Sequence, residues 1–187
     1  MNGLLKHIKT IYPISDASEK ALVEICSEIQ FKKNSDVQPI GHTCKTLYFV
    51  KTGCLRIYYF KDDIDITESF EFENDFVARA ESLFTGKPSR KGIQAIEDSV
   101  LIAINSDKLF KLFDSHPDLQ KLFLKIVENA YVDTVNRIES IQFHSAEERY
   151  NALMKETPDV LKRVPLKYVA SYLGITQVSL SRIRGIK

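Results

Sequence analysis

The run from Leu119 to Gln142 most strongly limits how this chain can fold, because it contains neither proline nor glycine. Apolar residues recur along it every three or four positions, a spacing that predicts a helix. One set has the alternating spacing of a coiled-coil seam: Leu124, Val127, Tyr131, Thr134, Ile138 and Ile141. A second set lies on another side: Leu119, Leu122, Phe123, Ile126 and Ala130. A helix with two apolar stripes needs two surfaces to cover them.

These two stripes predict a homodimer. The second stripe can face the remainder of its own chain, and the seam can pack against the same helix of a second copy. A long helix packed wholly within one monomer is the alternative, because short heptad runs are not decisive.

The pattern before this helix changes from helical to strand-like. Helical spacing covers the first part of the chain, with Pro13 between two helices. From about Gln30 to Asn105 the chain consists of short β-prone runs separated by turn residues: LYFV, CLRIYYF, ITESFEF, GIQAI and VLIAI. This region is expected to form an antiparallel barrel or sandwich. After the long helix, the capping-box spacing of Ser145 and Glu148 predicts a shorter helix.

The most specific pattern lies in VPLKYVASYLGITQVSLSRIRGIK at the C-terminus. Pro165 suits the first turn of a helix, and Gly174 suits a tight turn that needs a positive φ. Thr176 is a candidate N-cap for a second helix that begins at Gln177. The apolar residues Leu166, Val169, Ala170, Leu173, Leu180 and Ile183 would form the shared core.

This arrangement predicts a helix-turn-helix whose second helix enters the major groove of DNA. Four side chains on the open face of that helix are candidates for contacts with base edges: Gln177, Val178, Ser181 and Arg182. Four others suit phosphate contacts: Lys167, Thr176, Ser179 and Arg184. A helical hairpin with a solvated basic face is the plainer alternative.

Charge is distributed unevenly along the chain. Residues 161–187 contain six basic and no acidic residues, which leaves 20 basic and 25 acidic residues in the remainder. The positive charge therefore lies where the DNA backbone would be bound.

Composition argues against several other classes of protein. No apolar run is long enough to span a bilayer and no secretory signal is present, so a cytoplasmic protein without membrane association is expected. Cys26, Cys44 and Cys54 fit neither a disulfide framework nor a cysteine zinc site, and His42 nearby adds no fourth ligand. No catalytic motif or set of histidines suited to a metalloenzyme is found. We expect no enzyme activity, metal or cofactor.

The stretch PLKYVASYLGITQVSLSRIR resembles the helix-turn-helix of the Crp/Fnr family of transcription regulators. LYFVKTGCLRIYYF and FVARAESLFTGKPSRKGIQAIEDS resemble the cyclic-nucleotide-binding barrel of that family, with Gly53 in its characteristic turn. The resemblance implies an α+β fold with an N-terminal antiparallel β-barrel of the jelly-roll type. Its expected parts are a sensor barrel at residues 1–116, a dimerisation helix at residues 117–142 and a helix-turn-helix domain at residues 143–187. Double-stranded DNA, a second copy of the chain and RNA polymerase are the implied partners.

The resemblance also locates a candidate effector site, but the residues at that site differ from those with which family members bind cyclic AMP. Members that bind cyclic AMP carry a Gly-Glu pair for the ribose and an Arg-Ser or Arg-Thr pair for the phosphate. This chain has Ala78 and Arg79, then Ser89 and Arg90. We therefore expect an unidentified small-molecule effector other than cyclic AMP. Its candidate contacts are Arg79, Ser82, Ser89 and Arg90, and the alternative is an empty barrel.

The sequence thus predicts a homodimeric, sequence-specific DNA-binding regulator. The recognition helix has Gln177 and Val178 where well-known members have an Arg-Glu pair, while Arg182 keeps the later Arg, so a different operator is expected. A non-catalytic barrel that binds a ligand or a partner protein, and no DNA, is the alternative function. The excess of positive charge in the C-terminal segment argues against it.

Overall fold

Helices flank a β-rich middle in residues 1–185, the part of the chain that the computed structural model describes. The predicted domain at residues 143–187 therefore extends two residues beyond the described part. The helices are α1 Asn2–Ile11, α2 Asp16–Glu24, α3 Ala80–Thr85, α4 Ser106–Leu112, α5 Pro117–Phe143, α6 Ala146–Glu156, α7 Val160–Arg163, α8 Leu166–Tyr172 and α9 Gln177–Gly185. The strands are β1 Cys26–Phe31, β2 Asp36–Gln38, β3 Thr46–Thr52, β4 Leu55–Lys61, β5 Ile64–Glu71, β6 Phe76–Val77, β7 Gly92–Ala95 and β8 Ser99–Asn105.

The strands form two four-stranded antiparallel sheets and not a closed barrel, so of the predicted barrel or sandwich the structure shows the two-sheet arrangement. One sheet has the order β1-β8-β3-β6 and the other has the order β2-β7-β4-β5. The chain passes from the first sheet to the second between β3 and β4, at Gly53, whose φ is 109°. A Cβ at this position would lie 2.2 Å from the hydroxyl oxygen of Ser99. Glycine is therefore required both by the backbone conformation and by the close approach of β8.

Helix α5 runs without interruption from Pro117 in its first turn to Phe143, which agrees with the predicted long helix. Its second apolar stripe packs as expected for most of its length, because Leu119 and Leu122 are buried together with residues of α1, β3 and β8. Phe123 and Ile126 pack on the same cluster, whereas Ala130 is exposed. No helix in the described part of the chain is long and apolar enough to cross a bilayer.

The C-terminal helices pack on the outer side of the second sheet. Cys54 and Ile96 from the strand region share a buried cluster with residues of α6, α7, α8 and α9, including Tyr150, Val169 and Leu180. Beside it, the guanidinium of Arg56, 1% exposed, lies 3.7 Å from the ring centre of Tyr168 in α8. Arg56 is held by two hydrogen bonds to Asp65, of 2.6 and 2.7 Å. A buried charge that is both paired and stacked satisfies its polar groups without water.

The edge of the second sheet is also contacted by α8. Strand β5 pairs only with β4, so its other side offers free backbone groups. The Ser171 hydroxyl accepts a hydrogen bond from the Thr67 N–H at 2.9 Å and donates to the Asp65 carbonyl at 3.3 Å. One serine side chain thus satisfies a donor and an acceptor of an edge strand.

Candidate nucleic-acid interface

Helices α8 and α9 form a compact pair joined by a four-residue turn. Gly174 has a φ of 68°, in the left-handed region that favours glycine. The Ile175 N–H donates to the Ala170 carbonyl at 3.0 Å, which closes the C-terminal end of α8. Leu173 and Leu180, each 1% exposed, are the central residues of the core between the helices. The predicted turn at Gly174 is present.

The start of α9 also follows the sequence prediction. The Thr176 hydroxyl accepts a hydrogen bond from the Ser179 N–H at 3.1 Å, as an N-cap side chain does. Pro165 precedes α8 as its N-cap residue, one position before the first turn that the sequence suggested.

The side chains predicted to contact DNA form one exposed surface on these helices. Seven of the eight are exposed: Lys167, Thr176, Gln177, Val178, Ser181, Arg182 and Arg184. Ser179 is half-buried, and its hydroxyl lies 3.1 Å from that of Thr176. Val178, 61% exposed, is a large apolar side chain on the surface of a short helix, where no other part of residues 1–185 covers it. These positions are accessible, and their contacts with DNA remain a prediction.

The charged side chains on this surface are basic, and most of them form no ion pair within residues 1–185. Lys162 and Arg163 are each paired with carboxylates, Lys162 with Asp159 and Arg163 with Glu73 and Glu97. Lys167 lies 4.6 Å from the ring centre of Tyr168. Within residues 1–185, no ion pair neutralises Arg182 or Arg184. Three cations beside an acid-free helix pair attract a polyanion.

Arg163 is a residue of this region whose role the sequence did not reveal. It donates to Glu73 at 2.7 and 2.8 Å and to Glu97 at 3.1 Å, so it fastens α7 to the strand region. These hydrogen bonds hold the pKa of Glu73 at about 2, assisted by the Gly53 N–H and opposed by burial. A basic residue in a basic segment gives no sequence signal that distinguishes it from a DNA contact.

The seam of α5 lies at the surface of the single chain. Leu124, Tyr131, Ile138 and Ile141 are 54%, 70%, 49% and 55% exposed, while Val127 is half-buried. Thr134 is exposed, and its hydroxyl donates to the Ala130 carbonyl of its own helix. A row of large apolar side chains left open on one helix is the usual mark of an interface.

The four predicted effector contacts differ in how much of their hydrogen-bonding capacity other groups already use. The Ser82 hydroxyl accepts from the Cys44 N–H at 2.8 Å and donates to the Lys87 carbonyl, and the Ser89 hydroxyl donates to the Lys91 carbonyl at 2.8 Å. Both serines are therefore occupied by backbone groups. Arg90 is exposed.

Arg79 is the effector candidate with unused hydrogen-bonding capacity. It is 9% exposed, and its Nη1 lies 3.8 Å from the Glu68 carboxylate, which also pairs with Lys91. Its Nε is buried and has no hydrogen-bond partner among residues 1–185. A buried donor left unsatisfied is costly, which makes Arg79 the strongest of the four candidates for a ligand contact.

No metal centre is found in the described part of the chain. No group of three or more His, Cys, Asp or Glu side chains is placed to hold a metal ion there. The three cysteines are free, and burial raises the pKa of the Cys26 thiol to about 11.

Comparison with known proteins defines the class of the strand region. Residues 28–116 match the family model named cyclic nucleotide-binding domain. In the structure, the matched region is followed by the long helix α5 and the further helices α6–α9. No curated protein sequence gives a significant match.

Solved structures with the same fold cover nearly the whole chain. FixK2 from Bradyrhizobium japonicum has a TM-score of 0.74 and 19% identity, covering 86% of this chain and 83% of its own. A protein from Eubacterium rectale, assigned to the Crp/Fnr family of transcriptional regulators, has a TM-score of 0.71 and 19% identity over 91% and 82% of the two chains. The c-di-GMP-responsive regulator CLP of Xanthomonas campestris has a TM-score of 0.69 and 17% identity over 90% and 89%. The fold is therefore that of Crp/Fnr-type regulators.

Proposed function

We propose that this protein is a sequence-specific DNA-binding transcription regulator that acts as a homodimer. The exposed face of α9 is the observation that carries the proposal. It presents Gln177, Val178, Ser181 and Arg182 on a helix that follows a tight turn, with Arg184 and Lys167 beside it as unpaired cations. In this proposal α8, the turn at Gly174 and α9 act as a helix-turn-helix, and α9 is the recognition helix.

The roles of the exposed side chains follow from their chemistry. Arg182 donates two hydrogen bonds to guanine, Gln177 pairs with adenine and Val178 contacts a thymine methyl group. Lys167 and Arg184 contact phosphates, as do the hydroxyls of Thr176 and Ser179, and these contacts set the register of the protein on the duplex.

The dimer is built on the seam of α5 in this proposal. Two copies packed along Leu124, Tyr131, Ile138 and Ile141 would cover the side chains that a single chain leaves exposed. The two recognition helices would then lie about 34 Å apart and meet successive major grooves. Ile138→Asp is expected to give monomers in sedimentation analysis. Asn136→Asp, on the opposite side of α5, is its control.

The domain at residues 28–116 serves as the sensor in this proposal. Two structural neighbours with this fold are regulators, and one of them, CLP of Xanthomonas campestris, is responsive to c-di-GMP. The effector of this chain remains unidentified, and cyclic AMP is not proposed, since Arg79 stands where a ribose-binding carboxylate is expected. Effector or partner binding would bias the hinge at residues 143–145, between α5 and α6. A recognition-helix distance that is the same in every condition would exclude this switch without excluding DNA binding.

Selection of bound sequences from a random duplex library tests the DNA-binding function directly. The purified chain at moderate salt, without added ligand, is expected to enrich a two-fold symmetric sequence. Arg182→Ala should weaken binding to that sequence by about 10- to 100-fold and relax preference at one base pair. Lys45→Ala, which removes an exposed cation from the sensor domain, is its control. Absence of DNA binding even at low salt would refute the proposal.

A further inference from the structure

Two arginines from outside the helix pair contact the same point, the C-terminal end of α8. Arg137 of α5 donates from Nη2 to the Tyr172 carbonyl, and its guanidinium lies 3.9 Å from the ring centre of Tyr172. Arg149 of α6 donates from Nη2 to the Leu173 carbonyl at 2.8 Å. Leu173 is the first residue of the turn that leads into α9.

Arg149 also joins this turn to the end of the long helix. Its Nη1 donates to the carbonyl of His144, the C-cap residue that follows α5. A Cβ at Gly174 would lie 3.9 Å from Nη2 of Arg149, so the guanidinium lies against the turn itself. One side chain therefore bridges the end of α5 and the start of the turn before α9.

Elementary electrostatics explains why arginine suits both positions. The last carbonyls of a helix lack partners within the helix and carry its negative partial charge, so cations bind there favourably. Hydrogen bonds from a charged donor are about twice as strong as neutral ones. Burial lowers the pKa of Arg137, and the neighbouring positive charge of Arg149 acts in the same direction. Two like charges lie close together here, because each guanidinium donates to a carbonyl at the C-terminal end of α8, Tyr172 for Arg137 and the C-cap residue Leu173 for Arg149.

We propose that Arg137 and Arg149 are positioning residues that fix the orientation of α9 relative to α5. This inference rests on the proposed function, because in the homodimer the orientation sets the distance between the two recognition helices. The protein then prefers DNA whose half-sites have the matching spacing. The two side chains contact the turn and not the DNA.

The first experiment measures orientation within one chain and needs no DNA. Spin labels are placed at Asn129→Cys in α5 and Ser181→Cys in α9, in a chain with Cys26→Ser; Cys44 and Cys54 are buried. The labelled protein is diluted with unlabelled protein, so that the measured distance is the one between the two labels of a single chain and not one between the two chains of a dimer. We expect one narrow distance distribution for the reference chain, and a broadened or two-peaked one when Arg137→Met or Arg149→Met is added.

Matched variants separate positioning from general stability. Lys125→Met removes a cation from the same helix, where its ion pair with Glu128 is exposed, and should leave the distribution narrow. Arg149→Lys keeps the charge but reaches only one carbonyl, so intermediate broadening is expected. If either methionine variant fails to fold by circular dichroism, its lysine counterpart decides the result. Folded variants with an unchanged distribution would overturn the inference.

The second experiment measures the consequence for DNA. The selected symmetric duplex is compared with duplexes whose half-sites are one or two base pairs closer or farther apart, and with a single half-site. Arg149→Met should bind the best spacing about tenfold more weakly, keep its half-site affinity and lose discrimination between spacings. Equal loss on all these duplexes would overturn the positioning role. If the unaltered protein binds none of them, the proposed function fails, while the label distances still decide the role of the arginines.

Discussion

Replacement of Arg163 by methionine tests how strongly the C-terminal helices are held against the strand region. The pKa of Glu73 lies at about 2 instead of its ordinary 4.5, chiefly because Arg163 donates hydrogen bonds to it. At about 1.4 kcal/mol per pKa unit, this depression corresponds to roughly 3 kcal/mol of stabilisation. Because the Glu73 side chain is 37% exposed, solvent screening reduces the expected loss to about 1–2 kcal/mol.

The sign of the pH dependence follows from the lowered pKa. A carboxyl whose pKa is depressed in the folded state stabilises the fold above its ordinary pKa, and that stabilisation disappears as the pH falls toward the folded value. The free energy of unfolding, measured by urea denaturation, should therefore differ between wild type and Arg163→Met at pH 7 and pH 5. The difference should shrink at pH 3.

Lys162→Met is a matched control, because Lys162 is the neighbouring residue, carries the same charge and forms an ion pair with its side chain 80% exposed. Its loss should be close to zero. Equal losses for Lys162→Met and Arg163→Met, or a difference that persists unchanged from pH 7 to pH 3, would refute this account of the contact.

Three further changes test other parts of the fold. Burial alone would raise the pKa of Asp118, but hydrogen bonds to its carboxylate, including one of 2.6 Å from Ser18, outweigh burial and lower the pKa to about 2. Asp118→Asn should therefore lower the free energy of unfolding, measured by thermal unfolding, by about 1 kcal/mol at pH 7 and by less below pH 4. Gly53→Ala places a Cβ 2.2 Å from the Ser99 hydroxyl and should destabilise the fold by about 2–4 kcal/mol in urea, unlike a substitution in open space. Burial raises the pKa of Glu71 to about 8, so stability should fall as pH rises from 4.5 to 8, and Glu71→Gln should flatten that slope.

Local patterns predicted the helical parts of the chain well. The capping box of Ser145 and Glu148 is present, and Thr176 caps α9 as expected. The long helix ends at Phe143, one residue beyond its predicted limit. Each of these features depends on residues within one helix or one turn, so the sequence contains the whole signal.

Contacts between distant segments were not predictable in the same way. Arg163 contacts carboxylates that lie 66 and 90 residues away along the chain. The strand-rich region was recognised from its pattern, but strand pairing is equally non-local, so the sequence left a barrel and a sandwich open where the structure has two four-stranded sheets. The effector residues were chosen by resemblance, and the structure shows that Ser82 and Ser89 already bond to backbone groups.

The contact of Ser171 with β5 has a consequence for solubility. An unpaired sheet edge is a template for intermolecular strand addition, and here α8 occupies part of that edge. A fragment of the chain that ends after α5 would expose this edge, next to the hairpin side chains of Phe60 and Ile64, which are already 58% and 62% exposed in the full chain. The C-terminal helices thus cover part of an edge that would otherwise be open to strand addition, and we expect the shortened chain to self-associate more readily than the full chain.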